Sequence, residues 1–171
     1  MPLPDILFET DRVICRPFEA KDFDDLLTLQ SDKQVYQYVG DGKPLPPDQV
    51  TLWINRSREN IEKNGFGTGA IVRKNDDQLI GWAGFVWPEG AEVEIIYGLS
   101  PNEWGNGLGT EIAQGLVDAA RNRYKIWPLH ATVDPENNRS INLLKKVGFE
   151  LFAKTKDEDG LDTDIYELKL S

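Results

Sequence analysis

Three glycines alternate in the stretch SPNEWGNGLGT, which runs from Ser100 to Thr110. Gly105, Gly107 and Gly109 stand between a strand-like segment, AEVEIIYGL, and a helix-like segment, EIAQGLVDAARNRY. Glycine allows the backbone to adopt positive φ and to come close to a ligand. The first N–H groups of the following helix lack intrahelical partners and carry partial positive charge. The stretch therefore indicates a site for an anion such as a phosphate group.

Three other interpretations of this loop can be weighed from the residues. A plain strand–helix connection needs no ligand and stays open. A dinucleotide fingerprint requires a glycine where Thr110 stands, although Asp134 follows the next strand at a spacing that suits a ribose-binding acid. A P-loop requires Gly-Lys-Ser/Thr, which the sequence lacks. The favoured interpretation is a backbone nest for a pyrophosphate, and a nucleotide-binding oxidoreductase remains a weaker alternative.

Two acidic residues precede the loop in the predicted strand. Glu92 and Glu94 alternate with Val93 and Ile95, so strand geometry places both carboxylates on one face. One of them could accept a proton from an ammonium group, directly or through water. A solvated strand face explains the same alternation, so both interpretations stay open.

A third group of polar residues lies in DPENNRSINLLKKVGFE, residues 134–150. Asn137 or Asn138 is a suitable N-cap, and Ser140 then falls in the first helical turn. Gly148 is a suitable residue to end this helix. A capped amphipathic helix accounts for this pattern, and the residues alone assign no further role to Asn137 or Ser140.

The predicted elements around these residues follow the order β-αα(α)-βββ-α-β-α-ββ. The predicted strands cover 10–18, 66–73, 79–87, 92–99, 129–133, 149–156 and 163–170. The predicted helices cover 20–30, 31–39 (with Ser31 as N-cap), 48–64, 110–124 and 138–147, and 40–47 is a turn-rich loop. Short turns make the three middle strands antiparallel. The pattern predicts an α+β domain with a mixed sheet.

Composition limits the classes of partner. The chain has 171 residues, which fits one domain, and a net charge of −10, which disfavours nucleic acid as the main partner. No apolar run is long enough to span a membrane, and the first residues lack the features of a signal peptide. A single cysteine, Cys15, fits a cytoplasmic protein, and one Cys with one His makes a zinc site unfavourable. The acidity favours a cationic substrate, or it only maintains solubility.

Four segments together resemble the ribosomal-protein branch of the GCN5-related N-acetyltransferases (GNAT). They are FETDRVICRPFEAKDFDDL at 8–26, VEIIYGL at 93–99, WGNGLGTE at 104–111 and NNRSINLLKKVGF at 137–149. In the glycine motif, Trp104 takes the first position, and Gly107 and Gly109 take the glycine positions. The resemblance implies one GNAT domain over 1–171. Its fold is a mixed sheet of about seven strands that splay at the cofactor site, with helices on both faces.

The resemblance implies direct acetyl transfer from acetyl-CoA to a primary amine, with a protein α-amino group among the candidate acceptors, and with no metal and no acyl-enzyme. It implies Glu94 as general base, Ser140 as the group that protonates or stabilises the leaving thiolate, and Asn137 as a hydrogen-bonding partner of the pantetheine arm or of a water. The cofactor-binding residues that it implies are Ile96, Tyr97, Leu99, Trp104, Gly105, Asn106, Gly107, Leu108, Gly109, Thr110 and Asn137.

The sequence departs from the family pattern at two positions. Leu144 stands where many members carry a tyrosine as general acid, and Ile96 replaces the usual glycine of this branch. The acceptor side is expected near loop 40–47, and four aromatic residues are candidates either for the acceptor pocket or for the core: Trp53, Trp82, Trp87 and Tyr97. A catalytically weak acyl-CoA-binding or sensing module is the alternative function. The resemblance also makes a homodimer plausible.

Overall fold

The computed structural model describes residues 2–39 and 41–169. In chain order the elements are β1 (Phe8–Glu9), β2 (Val13–Pro17), α1 (Phe23–Gln30), α2 (Lys33–Tyr36), α3 (Pro47–Asn64), β3 (Thr68–Arg73), β4 (Leu79–Val86), β5 (Glu94–Leu99), α4 (Leu108–Ala119), β6 (Leu129–Val133), α5 (Asn138–Lys146), β7 (Glu150–Lys156) and β8 (Asp162–Leu168). Two short 3₁₀ turns, Ala20–Asp22 and Pro101–Glu103, precede α1 and the glycine loop.

The strands form one sheet in the order β1-β2-β3-β4-β5-β6-β8-β7. The predicted mixed sheet is confirmed, with eight described strands where about seven were expected. The additional strand is β1, which lies just before the first predicted strand, 10–18. The chain instead turns at 10–12, and Phe8 pairs with Cys15 in an antiparallel hairpin.

The two central strands β5 and β6 are parallel and diverge. Within the described residues, Glu94 and His130 are their only register pair, and the His130 N–H donates to the Val93 carbonyl at 2.9 Å. The other strand neighbours pair over five or more positions, apart from the two-residue β1. The expected splay is therefore confirmed, and it opens toward the carboxyl ends of β5 and β6.

Helices cover both faces of the sheet, as predicted. On one face, α4 and α5 contribute Ile112, Leu116 and Leu144 to a large apolar cluster that also contains Ile95 and Val133. On the other face, a second cluster combines apolar residues of α1 and α3 with strand residues: Phe18, Leu26, Val50, Ile54 and Trp82. Burial of such side chains contributes about 1.5–3 kcal/mol each. The splayed strands therefore lie between two packed apolar layers.

Several predicted helix boundaries were wrong. The helix predicted from 31 to 39 is reduced to α2, and its N-cap is Asp32, whose carboxylate accepts from the Gln34 N–H at 2.9 Å. Ser31 instead donates its hydroxyl to the Leu27 carbonyl at 2.7 Å. The helix predicted over 110–124 begins two residues earlier, at Leu108, and its last turn, Ala120–Tyr124, is π-helical.

The helix predicted over 20–30 begins three residues later as α1, because Ala20–Asp22 forms a 3₁₀ turn. The remaining predicted elements agree with the structure to within two residues, and residue 170 of the last predicted strand lies outside the described residues. Gly40 of the predicted loop 40–47 lies outside them as well. None of the helices within 2–39 and 41–169 combines the length and apolar character that crossing a membrane would require. The expected cytoplasmic location and the homodimer stay predictions.

Candidate active site

A cleft of about 830 Å³ opens at the carboxyl ends of the splayed strands. Five parts of the chain line it: Trp82 of β4, the end of β5, the glycine loop with the start of α4, α5 with the residues just before it, and α2 with the turn that follows. Ten of the thirteen predicted site residues line this cleft: Tyr97, Leu99, Trp104, Gly105, Gly107, Leu108, Gly109, Thr110, Asn137 and Ser140. Segments that are far apart in sequence are thus brought together at one opening.

The glycine loop has the backbone geometry that an anion site needs. Gly105 and Gly107 have φ of +85° and +81°, and Gly107 is the N-cap of α4. The first-turn N–H groups of α4 therefore begin at the cleft wall, where the helix dipole adds partial positive charge. A Cβ on Gly109 would lie 2.9 Å from Leu143 Cδ1, so the missing side chain lets α4 and α5 pack closely.

A salt bridge that sequence reasoning missed ties this loop to the N-terminal hairpin. Arg12 Nε donates to Glu111 Oε1 at 2.9 Å, and Arg12 Nη1 donates to the Asn106 carbonyl at 3.2 Å. The Thr10 hydroxyl also donates to Glu111 Oε2 at 2.6 Å. Burial alone would raise the pKa of Glu111, but hydrogen bonds from Thr10 and Arg12 outweigh it and hold this pKa below its ordinary value. The partners are 99 residues apart, so no local pattern could predict the contact.

Trp104 is fixed from two sides. Its indole Nε1 donates to the Leu99 carbonyl at 3.2 Å, and the Arg139 guanidinium lies 3.7 Å from the centre of its ring. Arg139 belongs to α5 and Trp104 to the glycine-loop side, so this cation–π contact spans the cleft. The Arg139 guanidinium is therefore already engaged with an aromatic ring. Lys146 also lines the cleft.

The second contact across the cleft joins two hydroxyl groups. Tyr97 Oη of β5 lies 2.7 Å from Ser140 Oγ of α5, and either can be the donor. The Ser140 N–H donates to Asn137 Oδ1 at 3.3 Å, so Asn137 is the N-cap of α5. Burial raises the pKa of Tyr97 to about 12, and the hydrogen bond with Ser140 offsets part of that rise. Strand parity could have predicted which face Tyr97 occupies, but not its partner.

Three predicted site residues do not line the cleft: Glu94, Ile96 and Asn106. Asn106 acts within the loop, where its side-chain oxygen accepts from the Leu108 N–H at 3.3 Å. Glu94 begins β5 at the closed end of the splay, beside His130. Strand parity places it on the face of Ile96, which packs against the α1–α3 cluster. The alternation predicted for this strand is confirmed, since Val93 and Ile95 both belong to the opposite cluster.

The remaining candidates from the sequence divide between cleft and core. His130 is buried, and its Nε2 lies 2.8 Å from Glu167 Oε2, so its ring is held by a contact between β6 and β8. Trp82 lines the cleft, whereas Trp53 packs edge-on behind it at 5.5 Å. Trp87 is 60% exposed and packs beside Phe66. The four aromatic candidates therefore do not line one common pocket.

The acceptor side expected near loop 40–47 stays a prediction, and the described rim of the cleft opposite the glycine loop lies elsewhere. The rim comes from α2 and the turn after it, which contribute Gln34, Val35, Gln37, Tyr38 and Val39, while no described residue of 41–47 lines the cleft. Tyr38 and Val39 are exposed. Among the described lining residues, the carboxylates are Glu103 and Glu136, and the cationic groups are Arg139 and Lys146. The acidity of the whole chain is therefore not concentrated in the cleft.

Comparisons with known proteins agree with this architecture. Residues 12–150 match the model of the acetyltransferase (GNAT) domain family. The chain is 29% identical over 166 residues to an uncharacterized N-acetyltransferase, p20, of Bacillus licheniformis, covering 94% of this chain and 93% of that protein.

Solved structures have the same fold. An acetyltransferase from Agrobacterium tumefaciens superposes with a TM-score of 0.82 at 22% identity, covering 99% of this chain and 95% of that one. RimL, a ribosomal L7/L12 α-N-protein acetyltransferase in complex with coenzyme A, superposes with a TM-score of 0.79 at 17% identity, covering 95% and 97%.

The chain belongs to the GNAT acetyltransferase family, and it is an N-acetyltransferase. The predicted family, fold and enzyme class are confirmed. Members of this family use acetyl-CoA as acetyl donor, and within the described residues no group of His, Cys, Asp and Glu side chains could hold a metal ion.

Proposed function

We propose that this protein transfers an acetyl group directly from acetyl-CoA to a primary amine within a ternary complex. The observation that carries the proposal is the cleft itself, where two diverging parallel strands end beside a glycine loop that begins a helix. Acetyl-CoA has an anionic pyrophosphate at one end and a thioester at the other, and the cleft offers a matching site for each. One continuous sheet from β1 to β8 supports the proposal that the chain acts as a single domain.

The cofactor would bind through backbone groups. The N–H groups of residues 105–110 would hold the pyrophosphate, since they lie at a helix start with glycines in the left-handed conformation. The end of β5, from Ile96 to Leu99, has lost β6 as a neighbour and can pair with the amides of the pantetheine arm. The cap at Asn137 uses only its side-chain oxygen, which leaves its NH₂ group for the pantetheine arm or a water.

The chemistry requires a base for the amine and a donor for the leaving sulfur. Glu94 lies outside the cleft lining, so we propose that it accepts the ammonium proton through water. An N–H at the end of β5 would polarise the thioester carbonyl. Ser140, at the cleft wall in the first turn of α5, would stabilise the thiolate. Cys15 is fully buried, and burial raises the pKa of its thiol, which fits a reaction without an acyl-enzyme.

The acceptor would enter over the rim formed by α2. This rim combines apolar side chains with neutral glutamines, and of the two lining carboxylates Glu103 is already paired with Arg73. These features favour an amine whose only charge is on the reacting nitrogen over a polycationic amine. The net charge of the whole chain suggested the opposite preference. RimL acts on a protein α-amino group according to its description, and peptide N-termini are therefore included among the proposed acceptors.

The proposal is tested by release of the coenzyme A thiol from acetyl-CoA with a panel of peptides, polyamines, aminoglycosides and amino acids. Glu94→Gln should reduce kcat with the accepted amine by about 100-fold, because general base catalysis contributes that order of rate. Glu92→Gln is the matched control, because Glu92 is exposed two residues away, and it should leave kcat unchanged.

An unchanged kcat in Glu94→Gln would refute Glu94 as the base. Tight binding of acetyl-CoA without turnover for any amine would instead support the alternative, an acyl-CoA-binding module.

A further inference from the structure

Tyr97 is a partly buried side chain of the cleft to which the proposed reaction assigns no chemical step. Its ring belongs to β5 and packs against the apolar cluster on the α4–α5 face. Its hydroxyl reaches across the splay to Ser140 Oγ at 2.7 Å. The pair therefore lies between the two walls that would enclose the pantetheine arm.

The position of Ser140 is fixed independently of Tyr97. Its backbone N–H donates to Asn137 Oδ1 at 3.3 Å, which anchors the first turn of α5. The direction of its hydroxyl proton is set by its partners, since a hydroxyl rotates to suit them. If Ser140 donates to Tyr97, its proton points away from a ligand. If Tyr97 donates, the Ser140 proton is free to point at one.

We propose that Tyr97 is a positioning residue, an inference that rests on the proposed function. Tyr97 donates its hydroxyl proton to Ser140 Oγ. The Ser140 proton is thereby directed to the leaving sulfur of coenzyme A. An anionic sulfur beside Ser140 selects this direction, because it accepts a hydrogen bond and cannot donate one. Tyr97 is suited to the role because it stays protonated, and can donate, throughout the neutral pH range.

The step balances as follows. The amine nitrogen forms a bond to the carbonyl carbon, the C–S bond breaks, and its electron pair goes to sulfur. The ammonium form of the amine loses two protons in total. One passes through water to Glu94 and then to solvent. The other leaves the nitrogen for solvent water as the tetrahedral intermediate collapses. Sulfur takes one proton from water as coenzyme A departs, so the net reaction releases one proton. The hydrogen bond from Ser140 stabilises the thiolate in the interval.

This role can be measured without knowledge of the acceptor. Coenzyme A bound to the protein should have a lowered thiol pKa, read from the pH dependence of alkylation by iodoacetamide and from thiolate ultraviolet absorbance. The assay reports only the coenzyme thiol, because the single cysteine of the chain, Cys15, is buried. Tyr97→Phe keeps the ring and should raise the pKa of the bound thiol by about one pH unit. Where an acceptor is found, it should also reduce kcat by about tenfold, with the Kd of acetyl-CoA within about twofold.

Two comparisons separate positioning from a structural effect. Tyr124→Phe is the matched control, because it removes another partly buried hydroxyl, which donates to the Leu7 carbonyl at 2.7 Å, and it should leave the bound thiol unchanged. Ser140→Ala should raise the thiol pKa at least as much as Tyr97→Phe, and the double variant should match Ser140→Ala, because Tyr97 acts through Ser140.

An unchanged thiol pKa in Tyr97→Phe, or additive effects in the double variant, would overturn the inference. Failure of the wild-type protein to bind coenzyme A would instead refute the proposed function, and this inference with it.

Discussion

The two sides of the cleft are built from different groups. On the glycine-loop side, the lining includes Gly105, Gly107 and the start of α4, where the glycines carry no side chain over the backbone. On the α2 side, the groups are side chains, among them Val35 and Tyr38, with Trp82 at the base. One side is defined by φ angles and a helix start, and the other by side-chain size and polarity.

This difference indicates how the two sides can vary. A backbone anion site depends on a few glycines, and other side chains in the loop can change without moving its N–H groups. A side-chain surface changes its preference with each substitution. We therefore expect substitutions on the glycine-loop side to affect acetyl-CoA binding, and substitutions on the α2 side to affect selectivity for the amine.

The largest effect is expected where the two sides meet, at Gly98. A Cβ there would overlap the indole ring of Trp82, which is 5% exposed and cannot move into solvent freely. Gly98→Ala should lower the free energy of unfolding by about 1–3 kcal/mol, the usual cost of overpacking, as measured by urea denaturation. Adding Trp82→Phe should recover part of the loss because the smaller ring leaves space. Equal stability of Gly98→Ala and wild type would show that Trp82 can shift to accommodate the added methyl group.

The next effect separates backbone strain from ligand binding. Gly105 and Gly160 both have positive φ, of +85° and +79°, and a Cβ on either would meet nothing within 4 Å. Alanine at each should therefore cost about 1–2 kcal/mol of stability through the same strain. Only Gly105→Ala should weaken acetyl-CoA binding, by about tenfold in calorimetry, because only Gly105 lies at the cleft. Equal affinity in both variants would contradict a backbone anion site.

A smaller effect is expected from the salt bridge that supports the loop. The pKa of Glu111 is lowered in the folded protein, so the stability that its charge supplies is complete above the ordinary glutamate pKa. That stability is lost as the pH falls through the lowered value. The stability difference between wild type and Glu111→Gln should therefore shrink on acidification, as followed by melting temperature.

A double-mutant cycle of Arg12→Gln with Glu111→Gln should give a coupling of about 0.5–1 kcal/mol at neutral pH, since Arg12 is largely exposed. A stability difference that is independent of pH would show that Glu111 acts by packing alone.

The smallest effect is expected at the α2 rim. Tyr38 is 39% exposed and lines the cleft. Tyr38→Ala should raise KM for the accepted amine by about two- to fivefold, because part of an apolar contact is lost. The Kd of acetyl-CoA should stay constant. Lys33→Ala is the control, since Lys33 is exposed on α2, the helix that precedes Tyr38, and lies outside the lining. A change in acetyl-CoA affinity instead would contradict the assignment of this rim to the acceptor.

The sequence predicted those features that rest on local rules. The antiparallel order of β3, β4 and β5 followed from short turns. The helix after the loop and the glycine at its start followed from periodicity and φ preference, although the helix begins two residues before its predicted start. The N-cap at Asn137 was among the predicted possibilities, and the structure selects it over Asn138. The error at Ser31 shows the limit of such rules, because two adjacent residues can both cap and only geometry selects one.

The tertiary structure alone decided which side chains meet across the cleft. Tyr97 and Ser140 are 43 residues apart, and Arg12 and Glu111 are 99 apart. A periodic pattern states which face of an element a residue occupies, but distances between faces depend on how strands splay and how helices pack. The sequence by itself therefore determined a glycine loop at a helix start and the family of the fold. Packing decided that α2 forms the opposite rim, that Glu94 lies at the closed end of the splay, and that a tyrosine reaches the serine of the next helix.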